Sequence, residues 1–183
     1  VEQDRGNTAR SRNARFAAIR SFFRYLEYKV PACLEQALRV RSLPMKKTDK
    51  ALIDYLTREE MNALLAAPDC TTVAGLRDRA MLHLTYAAGL RVSELLALQM
   101  GDFSDRSLST VRVLGKGRRE RVLPLWKETQ TILRAWIAVR PSVQVQELFV
   151  NREGQPLSRD GFAHRLAVHV AAAARKKPAL AEK

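Results

Sequence analysis

Cysteine is scarce: the 183 residues hold two, Cys33 and Cys70, with no Cys-x-x-Cys pair and no histidine at ligand spacing. That excludes a disulfide framework and a zinc site of familiar spacing, and suits free thiols in a reducing compartment. No apolar run approaches the ~18 residues that mark a membrane-spanning helix, and the N-terminal residues lack a signal-peptide pattern. The expectation is a soluble cytoplasmic protein with no membrane partner. Aromatic residues make up only 7%, too few for a base-stacking platform of the single-strand type. Gly-x-Ser-x-Gly and His-Glu-x-x-His are missing, and no acidic cluster could gather metal ions. A phosphate loop is excluded too. Lys116 is followed by Gly117 rather than serine or threonine, and Thr110 stands where the first glycine belongs.

Positive charge is plentiful. Lysine and arginine number 32 against 19 aspartates and glutamates, a net charge of +13. Such a surplus favours a polyanion, most simply nucleic acid. It is also uneven. Residues 1–50 carry 12 basic and 5 acidic side chains, a surplus of 7, so over half the net charge lies in the first quarter of the chain. A basic arm and helix along a phosphate backbone explain this better than a solvated linker does. The apolar share of 46% is enough for a real core.

Residues 13–30 read as a helix, with Phe16, Ile19, Phe22, Phe23, Leu26 and Val30 on one apolar face. Arg12 and Arg15 lie mostly off that face. Pro31 interrupts, and 33–40 suits another short helix. Proline and mixed charge make 42–56 a connector, containing Lys46 and Lys47. Thr57 with Glu60 forms a capping box that opens the next helix, and Pro68 stops it. A longer helix covers 73–88, with His83 inside it as a packing or surface residue. A short helix follows over 92–99, and Asp102 and Asp105 suit a turn. The period then changes. The alternating runs 109–114 and 120–125 flank a glycine-rich tip, Gly115-Lys116-Gly117-Arg118-Arg119, as a β-hairpin. Helix returns over 126–139, a short strand is expected over 147–150, and Ser158 caps a last helix reaching about residue 175. The fold class is α+β, mainly helical.

Two places could carry chemistry. Gly89 ends a helix in the left-handed conformation that glycine favours, and Arg91 follows on a new turn three residues before Glu94. Arg91 is either a solvated arginine paired with Glu94 or a planar fork aimed at two phosphate oxygens. Lys116 is either a solvated hairpin lysine or the point of a basic finger with Arg118, Arg119 and Arg121. Candidate phosphate contacts are Arg12, Arg15, Lys46, Lys47, Arg118, Arg119 and Arg121.

Taken in order, these segments resemble a known family. The stretch Leu82-x-x-Thr85-Tyr86-Ala87-Ala88-Gly89-Leu90-Arg91-Val92-Ser93-Glu94-Leu95 is similar to the first conserved box of the tyrosine recombinases, or phage integrases. Val113-Leu114-Gly115-Lys116-Gly117-Arg118-Arg119-Glu120-Arg121-Val122 resembles their lysine-bearing hairpin, and Leu148-Phe149-Val150 with Gly154-x-Pro156-Leu157-Ser158 the segment after it. The likeness spans about residues 57–175. Residues 8–30 resemble the last helix of the preceding core-binding domain. The implied organisation is 1–41 as the end of a helical, SAM-like core-binding domain, 42–56 as linker, and 57–183 as the front of a catalytic domain.

The resemblance implies cleavage of double-stranded DNA by a tyrosine, giving a 3′-phosphotyrosine link that a free 5′-hydroxyl reverses, on tetramers assembled on DNA. It implies no metal, nucleotide cofactor or small-molecule substrate, and a nucleoid-associated location. Arg91 would hold nonbridging oxygens, Lys116 would protonate the leaving 5′-oxygen, and Glu94 would support the site. The sequence also departs from the pattern. The family's His-x-x-Arg box is not found: His164 is followed directly by Arg165, and His169 has Ala172 three residues on. Tyr25, Tyr28, Tyr55 and Tyr86 all precede the hairpin, away from the nucleophile's place. The expectation is a fragment that binds DNA without cutting it. The alternatives are a non-catalytic DNA-binding module or regulator and, more remotely, a basic helical protein binding RNA or another protein.

Overall fold

The computed structural model describes residues 7–48, 54–104, 107–115, 117 and 119–182. The chain divides into two compact units, Val1–Ile53 and Asp54–Lys183. Among the described residues no helix is long and apolar enough to cross a membrane.

The first unit pairs α1 (Ala9–Lys29) with α2 (Leu34–Ser42), joined by a short 3-10 turn beginning at Pro31. Helix α1 starts earlier than its apolar period indicates, because the Thr8 hydroxyl accepts the Ser11 N–H and caps it. Among the described residues of this unit, Phe16 and Ala37 are the buried ones, while Ile19, Phe22 and Val30 of the expected apolar face are exposed. One partner helix can cover only one stripe, and among the described residues of this unit α2 is the partner helix of α1. Asn13 stitches the chain after α2 to α1: its side-chain amide donates to the Lys46 carbonyl at 2.8 Å, and its Oδ1 accepts the Lys46 N–H at 3.0 Å. Of the connector expected over 42–56, residues 49–53 lie outside the described residues, as does Asp105 of the expected turn.

The second unit runs α3 (Arg58–Leu65), α4 (Val73–Ala88), α5 (Val92–Leu96), β1 (Thr110–Leu114), β2 (Glu120–Pro124), α6 (Lys127–Val139) and α7 (Arg159–Ala174). The capping box at Thr57 forms as expected, with Glu60 Oε2 accepting the Thr57 N–H at 2.7 Å. Ser158 caps α7 by accepting the Gly161 N–H. Strands β1 and β2 pair antiparallel, with Val113 opposite Arg121. The strand expected over 147–150 is not one. That segment makes isolated bridges, Gln99 with Glu147 and Val150 with Pro156. Its apolar character serves burial instead: Leu148, Phe149 and Val150 are all core residues.

That core gathers α4, α5, β1, α6 and α7 around Leu84, Leu95, Val111, Val113, Leu133 and Trp136. Trp136 stacks on Phe149 at 6.5 Å between centroids and donates its indole N–H to the Leu148 carbonyl. Burying the ring therefore leaves no polar atom unmet.

A buried ion cluster crosses this unit. Asp78 on α4 is 1% exposed. Its Oδ1 accepts from Arg77 Nε at 3.0 Å and a second Arg77 nitrogen at 2.8 Å. Its Oδ2 accepts from Arg165 Nε at 2.6 Å and lies 2.8 Å from His169 Nε2, both on α7. Arg77 also donates to the Val150 carbonyl. Burial pushes the Asp78 carboxyl up, but the His169 hydrogen bond and the two arginines outweigh it and hold the group below its ordinary value. A depressed carboxyl stabilises the fold above its unfolded pKa, and that contribution fades as pH falls through the folded value. Asp78→Asn removes the shared carboxylate charge from the buried Arg77 guanidinium and the half-buried Arg165, which should cost about 3 kcal/mol. Urea unfolding of both proteins at neutral pH measures the loss, and a change below 1 kcal/mol would remove the cluster from the interactions that hold α7 to α4.

Candidate functional site

The site forms where α4 ends. Gly89 caps the helix with φ +58° and ψ +41°, and its N–H goes to the Thr85 carbonyl. Residues with a Cβ pay for that left-handed conformation, and glycine does not. The chain reverses at once, and Arg91 becomes the N-cap of α5 with extended φ −71° and ψ 151°. Arginine has no acceptor to cap with. Glu94 performs the acidic half of a capping box instead, its Oε2 accepting the Arg91 backbone N–H at 3.0 Å.

Glu94 does more than cap. Its Oε1 accepts from the Arg91 guanidinium at 3.0 Å and from Arg121 at 3.2 Å, and its Oε2 takes the other terminal nitrogen of Arg121 at 2.8 Å. Each carboxylate oxygen thus holds one donor from Arg91 and one from Arg121. The Glu94 side chain is 5% exposed, that of Arg121 34% and that of Arg91 70%. Two guanidiniums share one carboxylate, so the corner keeps a surplus positive charge, and the exposed member is Arg91. The second terminal nitrogen of Arg91 and its Nε donate to no protein group among the described residues. Such a fork suits two oxygens of an anion.

Electrostatics follow from this geometry. The Arg121 hydrogen bonds foremost, then the Arg91 N–H, outweigh burial and hold the Glu94 carboxyl at about 2. Arg121 in turn is raised above its ordinary value by its bond to Glu94.

The hairpin leans on the same pair. A Cβ on Gly115 would meet an Arg121 terminal nitrogen at 3.1 Å, the Arg119 carbonyl at 3.3 Å and Glu94 Oε1 at 3.5 Å. Gly115 donates its N–H to that Arg119 carbonyl at 2.8 Å, closing the root of the tip. Lys116 and Arg118 lie outside the described residues. Arg119 is exposed. Arg12, Arg15, Lys46 and Lys47 belong to the first unit. Arg15, Lys46 and Lys47 are exposed there, while Arg12 donates to the Pro44 carbonyl and stacks over Phe16. The sequence places Arg121 among DNA contacts; here both its terminal nitrogens are engaged by Glu94. His83 is buried, and burial foremost lowers its pKa.

Sequence reading missed the Asp78 cluster. Its one local signal is the charged run Arg77-Asp78-Arg79 inside an otherwise apolar stretch of helix over 73–82. Among the described residues no group of three or more histidine, cysteine, aspartate or glutamate side chains could hold a metal ion.

A family model described as the phage integrase family matches residues 54–180. Tyrosine recombinase XerC of Myxococcus xanthus is 38% identical over 170 residues, covering 87% of this chain and 55% of that protein. Tyrosine recombinase XerD of Listeria monocytogenes serotype 4b is 34% identical over 163 residues, covering 86% and 54%. The solved Tn1549 transposon integrase in complex with circular intermediate DNA matches with a TM-score of 0.64 at 14% identity, over 96% of this chain and 61% of that one. At that identity the likeness is one of fold. The chain spans about half the length of the curated relatives named here.

The depressed Glu94 carboxyl is measurable. Followed by carboxylate carbon-13 shifts, Glu94 should titrate with a midpoint of about 2 and stay ionised down to about pH 3. A midpoint near the ordinary 4.5 would mean that the two arginines do not share it in solution.

Proposed function

This chain belongs to the phage integrase family of tyrosine recombinases, and from that premise we propose that it is the DNA-gripping, phosphate-holding part of a site-specific recombinase. The observation that carries this reading is the corner at Arg91, where an exposed guanidinium is steadied through one nitrogen by a buried carboxylate and keeps a fork for an anion.

The roles follow from the chemistry of phosphodiester exchange. A tyrosine hydroxyl gives up its proton to solvent as its oxygen attacks the scissile phosphorus, a 3′-phosphotyrosine bond forms while the bond from phosphorus to the 5′-oxygen breaks, and that oxygen leaves as a hydroxyl after taking a proton. Negative charge builds on the two nonbridging oxygens, and a preplaced cation lowers that barrier because it need not reorganise. Arg91 is that cation. Lys116, between Gly115 and Gly117 in the sequence, donates the proton to the leaving 5′-oxygen. Glu94 orients Arg91 and does not react. The exposed bases of the first unit, Arg15, Lys46 and Lys47, together with Arg119 of the hairpin, add sequence-independent phosphate contacts.

The partner is duplex DNA. Support comes from the net charge of +13 and from the Tn1549 integrase, a fold relative solved on DNA. In this proposal the 183 residues, which hold no tyrosine after the hairpin, bind DNA without cleaving it. The parent enzyme, working as a tetramer on DNA, supplies the nucleophile.

Two measurements test this reading. Duplex affinity of the 183-residue chain should fall steeply and linearly in log-log form with added salt; equal affinity in low and high salt, or a strong preference for RNA, contradicts it. In the parent enzyme, Arg91→Ala should cut the cleavage rate by roughly 10²–10³ while DNA affinity falls far less, because one donor to the developing charge is lost among many binding contacts. Equal losses in both would make Arg91 a binding residue only. Covalent capture of a nicked suicide duplex by the 183 residues alone would overturn the assignment of the nucleophile to the parent.

A further inference from the structure

Arg121 sits where a strand residue would simply add charge to a basic hairpin. Its geometry differs from that of a free phosphate contact. Both terminal nitrogens reach Glu94, one to each oxygen, at 3.2 and 2.8 Å. Those are the same two oxygens that hold the Arg91 side chain and backbone. The Glu94 side chain is 5% exposed, so little water is present to replace a lost donor. The guanidinium also underlies the hairpin root, where Gly115 approaches so closely that any Cβ would press on it.

We infer that Arg121 is a positioning residue: through Glu94 it sets the Arg91 guanidinium and the root of the hairpin in one fixed arrangement and keeps Arg91 available to a DNA phosphate. The proposal rests on the reading of Arg91 as a phosphate-holding residue.

Two physical effects make the link. The first is geometric. A carboxylate clamped by a bidentate fork has one orientation, and the Arg91 side chain hydrogen-bonded to it inherits that orientation. The second is electrostatic. With Arg121 present, two cations divide one negative charge, and Arg91 retains attraction for an outside anion. Without Arg121, Glu94 neutralises Arg91 alone, and a phosphate must compete with a full ion pair. Arg121 therefore acts on DNA without touching it.

A double-mutant cycle separates this from direct contact. The probe is a mixed-sequence 30-base-pair duplex, and the readout is the slope of log affinity against log salt for the 183-residue chain. Arg91→Ala should reduce that slope by about 0.9, the release accompanying one phosphate contact. Arg121→Ala should reduce it by the same amount, and the double variant should fall no further than either single one. Arg121→Lys retains the charge but not the fork, and should recover only part of the slope. An independent phosphate contact would instead make the losses additive, about 1.8 in the double variant, with full recovery by lysine; that result overturns the proposal. So does an unchanged slope in Arg121→Ala when Arg91→Ala loses its 0.9.

If Arg91→Ala changes nothing, the phosphate-holding reading fails, and the link itself is judged from the Glu94 carboxylate. Its midpoint, about 2 in the unsubstituted 183-residue chain, should rise in both Arg121 variants. An unmoved midpoint overturns the link. Thermal melts of each variant identify any that fail to fold. Should Arg121→Ala do so, Arg121→Lys with and without Arg91→Ala completes the cycle.

Discussion

One carboxylate organises the functional corner. Glu94 closes the start of α5 by accepting the Arg91 backbone N–H, holds the Arg91 side chain, and receives Arg121 from the second hairpin strand. Three demands on one buried group are compatible because a carboxylate offers about four lone-pair sites, and four donors fill them. The buried charge is tolerable only in that saturated state. Loss of any donor would leave it both unsatisfied and less fixed. The α4–α5 corner and the β-hairpin, 27 residues apart at Glu94 and Arg121, are thus joined by an interaction with strict geometry rather than by apolar packing alone.

A second buried carboxylate performs the matching structural task from the middle of α4. Asp78 draws in two residues of α7, and the Arg77 beside it on α4 reaches the Val150 carbonyl. The helix is therefore anchored by ion pairs along its first half and ends at Gly89, just before Arg91. Those bonds and the left-handed cap at Gly89 set the direction in which the chain enters the corner. A site held to within fractions of an ångström needs supporting residues that are themselves locked.

Local signals made much of this legible in the sequence. Gly89 announces its left-handed cap because few other residues tolerate it, and Thr57-x-x-Glu60 and Ser158 announce helix starts because their hydrogen bonds span only three residues. The alternation around Gly115 identifies the hairpin. What stayed hidden depends on long-range pairing. The Asp78 cluster spans 87 and 91 residues of sequence, and periodicity carries no information at that range. Arg121 reads as one more exposed base in a basic run, since alternation on a strand tells its face but not its partner. Residues 147–150 have the composition of a strand but only isolated bridges, so burial rather than pairing explains their apolar side chains. The apolar stripe of α1 likewise predicts more burial than two helices can provide.

The most direct test watches both arginines at once. The terminal guanidinium N–H resonances of Arg91 and Arg121, the groups that meet Glu94, can be followed in the 183-residue chain while a duplex is added. If Glu94 presents Arg91 and anchors Arg121, the Arg91 resonance shifts and sharpens as phosphate oxygens engage it, while the Arg121 resonance keeps its carboxylate-bound position. A shift of Arg121 with Arg91 unchanged would contradict that division of roles and return Arg121 to the list of ordinary phosphate contacts.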